Sequence, residues 1–119
     1  MMAGRIRDLL NTYSQVKAEL ARRSLREFIR QAWHVVEPAR ALLPTWHVDA
    51  IADHLQAISE GRIRNLLVNV PPGHAKSLIV SVLWPAWQWI RIEEGAQWRG
   101  LFASYDAALP RATRCAAVR

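Results

Sequence analysis

The stretch NLLVNVPPGHAKS, residues 65–77, decides which fold this sequence predicts. Its first six residues are nearly all apolar, as expected of a strand that is buried on both faces of a parallel sheet. A turn follows, and the apolar run from residue 78 to 92 predicts a buried helix that Pro85 should kink unless the helix ends there. The order of strand, loop and helix predicts an α/β domain with a parallel sheet.

The loop within this stretch has the position and composition of a phosphate-binding loop. Where such loops read GxxxxGK[ST], residues 70–77 keep Lys76 and Ser77 but place Val70 and Ala75 at the two glycine positions. In such a loop, backbone N–H groups surround a polyphosphate, the lysine reaches its β and γ phosphates, and the serine hydroxyl binds Mg²⁺. We therefore expect ATP and Mg²⁺ as cofactors, with Ser77 on the metal. The expected ATP-binding residues of the loop are Gly73, His74, Ala75, Lys76 and Ser77.

Two residues of the loop leave alternatives open. The methyl group of Ala75 is tolerable only if this residue avoids positive φ and leaves room for the phosphate. The imidazole of His74 either touches a phosphate edge or faces solvent. The whole segment can also be a strand-to-helix turn that happens to contain Lys-Ser, so ATP binding is an expectation at this point.

The chain before the loop is predicted to be helical. From residue 7 to 36, apolar residues recur at helical spacing, which predicts one or two amphipathic helices. Glu37-Pro38 and Leu43-Pro44 break this segment, and Thr45 is a suitable N-cap for a helix that stops near Gly61. Beyond the loop, residues 100–105 are predicted to form a second short strand, followed by another helix. The expected apolar stripe of the first segment contains Ala21, Leu25, Phe28, Ile29 and Ala32.

The net charge of +6 is concentrated in the two ends of the sequence. Residues 1–40 carry eight basic and four acidic side chains, residues 41–97 carry four and five, and residues 98–119 carry four and one. The stripe of Arg22, Arg26 and Arg30 either binds a polyanion such as DNA or is a solvated helix face, which is the commoner case.

A single cysteine, Cys115, excludes a disulfide framework within the chain. The sequence shows neither a signal peptide nor a membrane-spanning run, which predicts a cytoplasmic protein.

Four ordered segments of this sequence resemble the large subunits of tailed-phage and prophage terminases. They run from about residue 21 to the end and read ARRSLREFIRQAWHVVEP, TWHVDAIADHL, NLLVNVPPGHAKSLIVSVLWPAWQWI and RGLFASYDAAL. The resemblance implies an ATP-driven motor that moves double-stranded DNA into a procapsid within the bacterial host cell, followed in the chain by a nuclease domain. It also implies a terminase small subunit and a portal as partners.

The domain organisation that the resemblance implies is incomplete. Residues 1–44 are expected to form a basic helical segment. Residues 45–119 are expected to be the N-terminal part of a P-loop ATPase domain that lacks the strand with the metal-binding acid. The expected fold class is therefore α/β, an incomplete P-loop NTPase parallel-sheet domain preceded by helices and without a nuclease domain.

The resemblance also extends the expected site beyond the loop. Trp46 and His47 resemble the family's adenine-recognition element, although a tryptophan before an amphipathic helix is also a common core residue. The acids that the family uses for hydrolysis lie beyond residue 119, and Asp106 is the one local contender, against a helix-capping or turn role. We expect no complete hydrolytic site in this chain, so ATP binding without turnover is predicted.

Two other functions stay open from the sequence. A helicase-like P-loop ATPase would share the loop but not the segments WHVDAI and FASYD. A small non-enzymatic basic protein would bind DNA or a protein partner through the arginine stripe.

Overall fold

The computed structural model describes residues 2–43, 45–73, 75–91 and 98–103, and its secondary structure is helical. Helix α1 comprises Met2–Arg23, α2 comprises Leu25–Val36 and α3 comprises Trp46–Ser59. Helix α4, Lys76–Leu78, continues through a π-helical turn, Ile79–Leu83, into α5, Trp84–Arg91. No strand is found in these ranges, so the predicted α/β parallel-sheet P-loop domain is wrong.

The first two helices confirm the amphipathic pattern, but they meet at a corner that the pattern did not locate. Ser24 alone separates them, with extended backbone angles of φ −130° and ψ 120°. In an unbroken helix the Leu25 amide would donate to the Ala21 carbonyl. Instead, the Leu25 amide donates to Gln56 Oε1 at 3.0 Å, and the Ala21 carbonyl accepts from Trp87 Nε1 at 2.8 Å. Side chains distant in the sequence therefore satisfy the backbone groups that the corner leaves open.

Helix α3 forms as predicted. It begins after Thr45, whose backbone is extended, and it ends at Ser59, two residues before Gly61. The chain leaves the helix through Gly61, which has φ +75° and so uses the left-handed conformation that glycine adopts most readily. The side-chain hydroxyl of Thr45 makes no capping hydrogen bond to the helix. Thr45 therefore occupies the N-cap position through its extended backbone alone.

Residues 65–70 are the main correction to the sequence-based fold. They form an irregular segment in which Leu66, Val68 and Val70 pack against the helices, whereas Leu67 is 86% exposed. A strand buried on both faces needs neighbouring strands to bond its N–H and C=O groups. The described residues provide none, so the segment lies over the helical core with alternate side chains inward. Residues 100–103 likewise form no strand, and residues 104 and 105 lie outside the described part.

One hydrophobic core joins the helices. Trp87 and Leu25 are completely buried at its centre, between α2, α3 and the helix that starts at Lys76. The core therefore contains residues from both sides of position 44, where the predicted helical segment ends and the predicted ATPase domain begins. Its buried members are Leu25, Ile29, Trp33, Val48, Ile51, Ala52, Leu55, Ile79, Leu83 and Trp87.

Pro85 explains the π-helical turn. The proline has no N–H to donate to the carbonyl four residues earlier, and its ring clashes with that carbonyl. The helix widens just before it, and the Trp84 amide donates to the Ile79 carbonyl five residues back. The expected disturbance at Pro85 is thus a widened turn within a continuing helix.

Candidate functional site

The predicted phosphate loop lies at the start of the helix that begins at Lys76. Gly73 has φ +85°, and Ala75 has φ 59° and ψ 12°, so both are left-handed. The condition that Ala75 avoid positive φ is therefore not met, and the left-handed conformation costs an alanine roughly 1–2 kcal/mol. The side chains of Lys76 and Ser77 are exposed in the first helical turn. His74 lies outside the described residues.

A cavity of about 550 Å³ opens beside this loop. Its volume is within the range of roughly 300–1,000 Å³ that small-molecule sites occupy. One wall comes from the loop, and the other comes from the end of α2, the following loop and the start of α3. The lining residues are Trp33, Glu37, Arg40, Ala41, Leu42, Leu43, Thr45, His47, Val48, Gly73, Ala75 and Leu78.

The cavity brings together some of the predicted site residues and leaves others out. His47, predicted for the adenine base, shares the cavity with Gly73 and Ala75, predicted for the phosphates. Trp46 is 82% exposed, and its ring meets the His47 ring edge-on with centroids 6.3 Å apart, outside the cavity lining. Lys76 adjoins the cavity through its neighbour Ala75, but its side chain is not part of the lining.

Two charged residues that the sequence did not single out also line the cavity. Glu37 caps the C-terminal end of α2, and Arg40 follows in the loop. The Arg40 carbonyl accepts a hydrogen bond of 2.7 Å from Trp33 Nε1, which anchors this loop on a buried indole. The available signal was weak: a glutamate directly before Pro38 and an arginine between Pro38 and Pro44 indicate a loop but no ligand.

The described lining of the cavity offers one cationic side chain, Arg40, and no group of metal ligands. Arg40 offers a guanidinium to an anion, and the Gly73 backbone has open space where a side chain would stand. Within the described ranges, no three His, Cys, Asp or Glu residues cluster as a metal site requires. Ser77, the residue predicted to bind Mg²⁺, is exposed in the first helical turn and is not part of the cavity lining. Glu37 is the one described carboxylate that lines the cavity, and Asp106 lies outside the described residues.

The arginine stripe is largely occupied by ion pairs. Arg26 Nε donates to Asp53 Oδ1 at 2.6 Å, and this hydrogen bond holds the pKa of the Arg26 guanidinium above its ordinary value. Arg30 lies 2.8 Å from a Glu27 oxygen and 3.6 Å from an Asp49 oxygen. These carboxylates lower the positive potential that the stripe presents to a polyanion.

Comparisons with family models, with curated proteins and with solved structures found no match to this chain. None of the described helices is both long and apolar enough to cross a lipid bilayer.

Proposed function

We propose that this chain binds a nucleoside triphosphate in the cavity beside the loop, as the ATP-binding part of a terminase large subunit, and does not hydrolyse it alone. The observation that supports the proposal is the shared cavity. His47 and Gly73 are 26 positions apart in the sequence, and their segments resemble the base-binding and phosphate-binding elements of one family.

The lining residues suggest how the nucleotide lies. The base would occupy the end near Thr45 and His47, whose Oγ1 and Nε2 atoms are 3.5 Å apart and offer polar contacts to a purine edge. The phosphates would lie toward Gly73 and Ala75, within reach of Lys76 on the first helical turn. Arg40 would add a second cation from the opposite wall.

The wider role follows from the resemblance and not from the cavity. A terminase large subunit would work on double-stranded DNA together with a small subunit and a portal, in the cytoplasm of the bacterial host. The ion pairs of Arg26 and Arg30 do not favour the alternative of a small DNA-binding protein that uses the arginine stripe.

Titration with a fluorescent ATP analogue tests the proposal. Lys76→Ala should weaken binding by about tenfold or more, because a charge-assisted contact to phosphate contributes about 1.5–3 kcal/mol. Lys17→Ala is the matched control, because Lys17 is the only other lysine and lies on α1, outside the cavity lining. Equal affinities for the wild type and both variants, or no binding by any of them, would exclude this site.

A further inference from the structure

Helix α1 carries a stripe of exposed apolar side chains along nearly its whole length. Successive members are 4, 3, 4, 3 and 4 positions apart, which is the seven-residue repeat of a coiled coil. Each side chain is between 48% and 84% exposed. The stripe consists of Met2, Ile6, Leu9, Tyr13, Val16 and Leu20.

The stripe lies beside the face through which α1 contacts the rest of the described molecule. Helix α1 packs through Ala21, which is buried, and through the Lys17 carbonyl, which accepts from Gln31 Nε2 at 3.0 Å. At 3.6 residues per turn, Ala21 lies roughly 100° and Lys17 roughly 60° around the helix from the centre of the stripe, both on the same side. The contacts of α1 therefore lie to one side of the stripe, whose side chains stay between 48% and 84% exposed.

The length of the stripe suits a helical partner. Helix α1 has 22 residues, or about 33 Å at the usual rise, and the stripe repeats over three heptads. Three heptads is the length from which a coiled coil is expected. An apolar surface of this length on a helix indicates an interaction site more often than a solvated face.

The charges beside the stripe favour a second copy of this chain in antiparallel orientation. With Leu9 packed against Tyr13 of the partner subunit, Arg5 faces Glu19 of the partner subunit, and symmetry repeats the pair. In a parallel pair of helices, Arg5 would lie beside Leu10 and Glu19 beside Ser24, so no opposite charges would meet. Glu19 already binds Arg23 through Oε1 at 2.8 Å, which leaves its second oxygen for Arg5.

We infer that α1 is a dimerisation helix through which two copies of this chain form an antiparallel two-helix coiled coil. Leu9 and Tyr13 make the central layers, and the Lys17 ammonium lies over the Tyr13 ring of the same helix, 4.9 Å from its centroid. Because the two helices run in opposite directions, the two helical cores, each packed near residue 21 of its own α1, lie at opposite ends of the dimer.

Sedimentation equilibrium of the full chain tests the inference. The wild type should be a dimer, and Leu9→Lys should be a monomer because it places two charges in the central layers. Asn11→Lys is the matched control, since position 11 lies on the opposite side of α1 and this variant should remain a dimer. A monomeric wild type, or a dimer that survives Leu9→Lys, would overturn the inference.

Charge reversal tests the orientation without changing the apolar stripe. Arg5→Glu should weaken the dimer by about tenfold, because two attractive pairs become repulsive. Adding Glu19→Arg to Arg5→Glu restores opposite charges across an antiparallel seam and should recover the dimer. If Arg5→Glu has no effect, or the double variant is as weak as the single one, the antiparallel arrangement is wrong. Far-UV circular dichroism of each variant separates these results from loss of the helix.

Discussion

Ala75 stands where phosphate loops usually have glycine, and it adopts the conformation that glycine would supply. Its φ of 59° costs an alanine roughly 1–2 kcal/mol, whereas glycine loses about 0.5–1 kcal/mol more conformational entropy on folding. Ala75→Gly should therefore raise the free energy of unfolding by about 0.5–1 kcal/mol. It should also improve ATP binding by removing a methyl group from the cavity wall. Urea denaturation and the nucleotide titration measure the two effects.

Gly61 provides a control through the reverse substitution, glycine to alanine, at another position with positive φ. It has φ +75°, and no atom lies within 4 Å of the position where a side chain would begin. Gly61→Ala should thus lower stability by about 0.5–1 kcal/mol through the backbone alone and leave nucleotide binding unchanged. A loss of stability in Ala75→Gly would show that Ala75 is not left-handed in solution.

Glu37 and Arg40 should affect nucleotide affinity in opposite directions. Both line the cavity, so Glu37→Gln removes a charge that repels a polyphosphate and Arg40→Gln removes one that attracts it. We expect changes of about three- to tenfold at low salt, which shrink at high salt as screening increases. Glu27→Gln, which alters an acid outside the cavity lining, is the control. Shifts of the same sign in the Glu37 and Arg40 variants would place the phosphates elsewhere.

The predictions for individual residues that were possible from the sequence followed from residue type and spacing. The pair Lys76-Ser77 is recognisable because a helix start after a turn is a local pattern. The left-handed angles of Ala75 were not predicted, since alanine rarely adopts them. Arg40 was missed because its place in the cavity depends on how its loop packs on Trp33, which no local pattern encodes.

At the level of elements, the helices were predicted and the corner between α1 and α2 was missed. Periodicity located the apolar face of α2 correctly, since Leu25 and Ile29 are buried. Ser24 followed by Glu27 three residues later is a local helix-start pattern, but apolar periodicity alone does not show the break, and the Ser24 side chain makes no capping hydrogen bond. The groups that stabilise the corner belong to Gln56 and Trp87, 31 and 66 positions from their backbone partners.

Gln56 should therefore contribute more to the free energy of unfolding than an exposed glutamine does. Its side chain accepts from the Leu25 amide at 3.0 Å and donates to the Arg23 carbonyl at 3.2 Å. Gln56→Leu leaves that amide without its partner and should cost about 1–3 kcal/mol. Gln15→Leu, on the exposed surface of α1, should stay within about 0.5 kcal/mol of the wild type. Urea denaturation followed by circular dichroism compares the two, and equal stabilities would mean that Gln56 does not hold the corner.

The strand prediction failed because an apolar run specifies burial without specifying a partner. Residues 65–70 have the composition of a central strand, but such a strand requires others on both sides. In the described structure every second side chain of this segment, namely Leu66, Val68 and Val70, packs on the helices instead. Short apolar runs leave this choice to tertiary context.

For the molecule as a whole, Leu67 and Val68 distinguish the helical fold from a sheet. In a sheet covered on both faces, both side chains would be buried, so replacing either one with serine should lower the free energy of unfolding. In the structure only Val68 packs on the core, so Val68→Ser should lower the free energy of unfolding by about 1–2 kcal/mol, and Leu67→Ser by less than about 0.5 kcal/mol. Chemical denaturation of both variants measures this difference, and equal losses would contradict the packing of residues 65–70 on the described helices.

The corner at Ser24 also bears on how the chain folds while it is being synthesised. Residues 1–36 are synthesised before Gln56 and Trp87 have been added. At about 5–20 residues per second, the interval between the synthesis of Ser24 and that of Trp87 is about 3–13 s. During this time the hydrogen bond from Trp87 Nε1 to the Ala21 carbonyl cannot yet stabilise the bend. The nascent chain should therefore fold first as one long helix and bend at Ser24 only after the indole of Trp87 emerges.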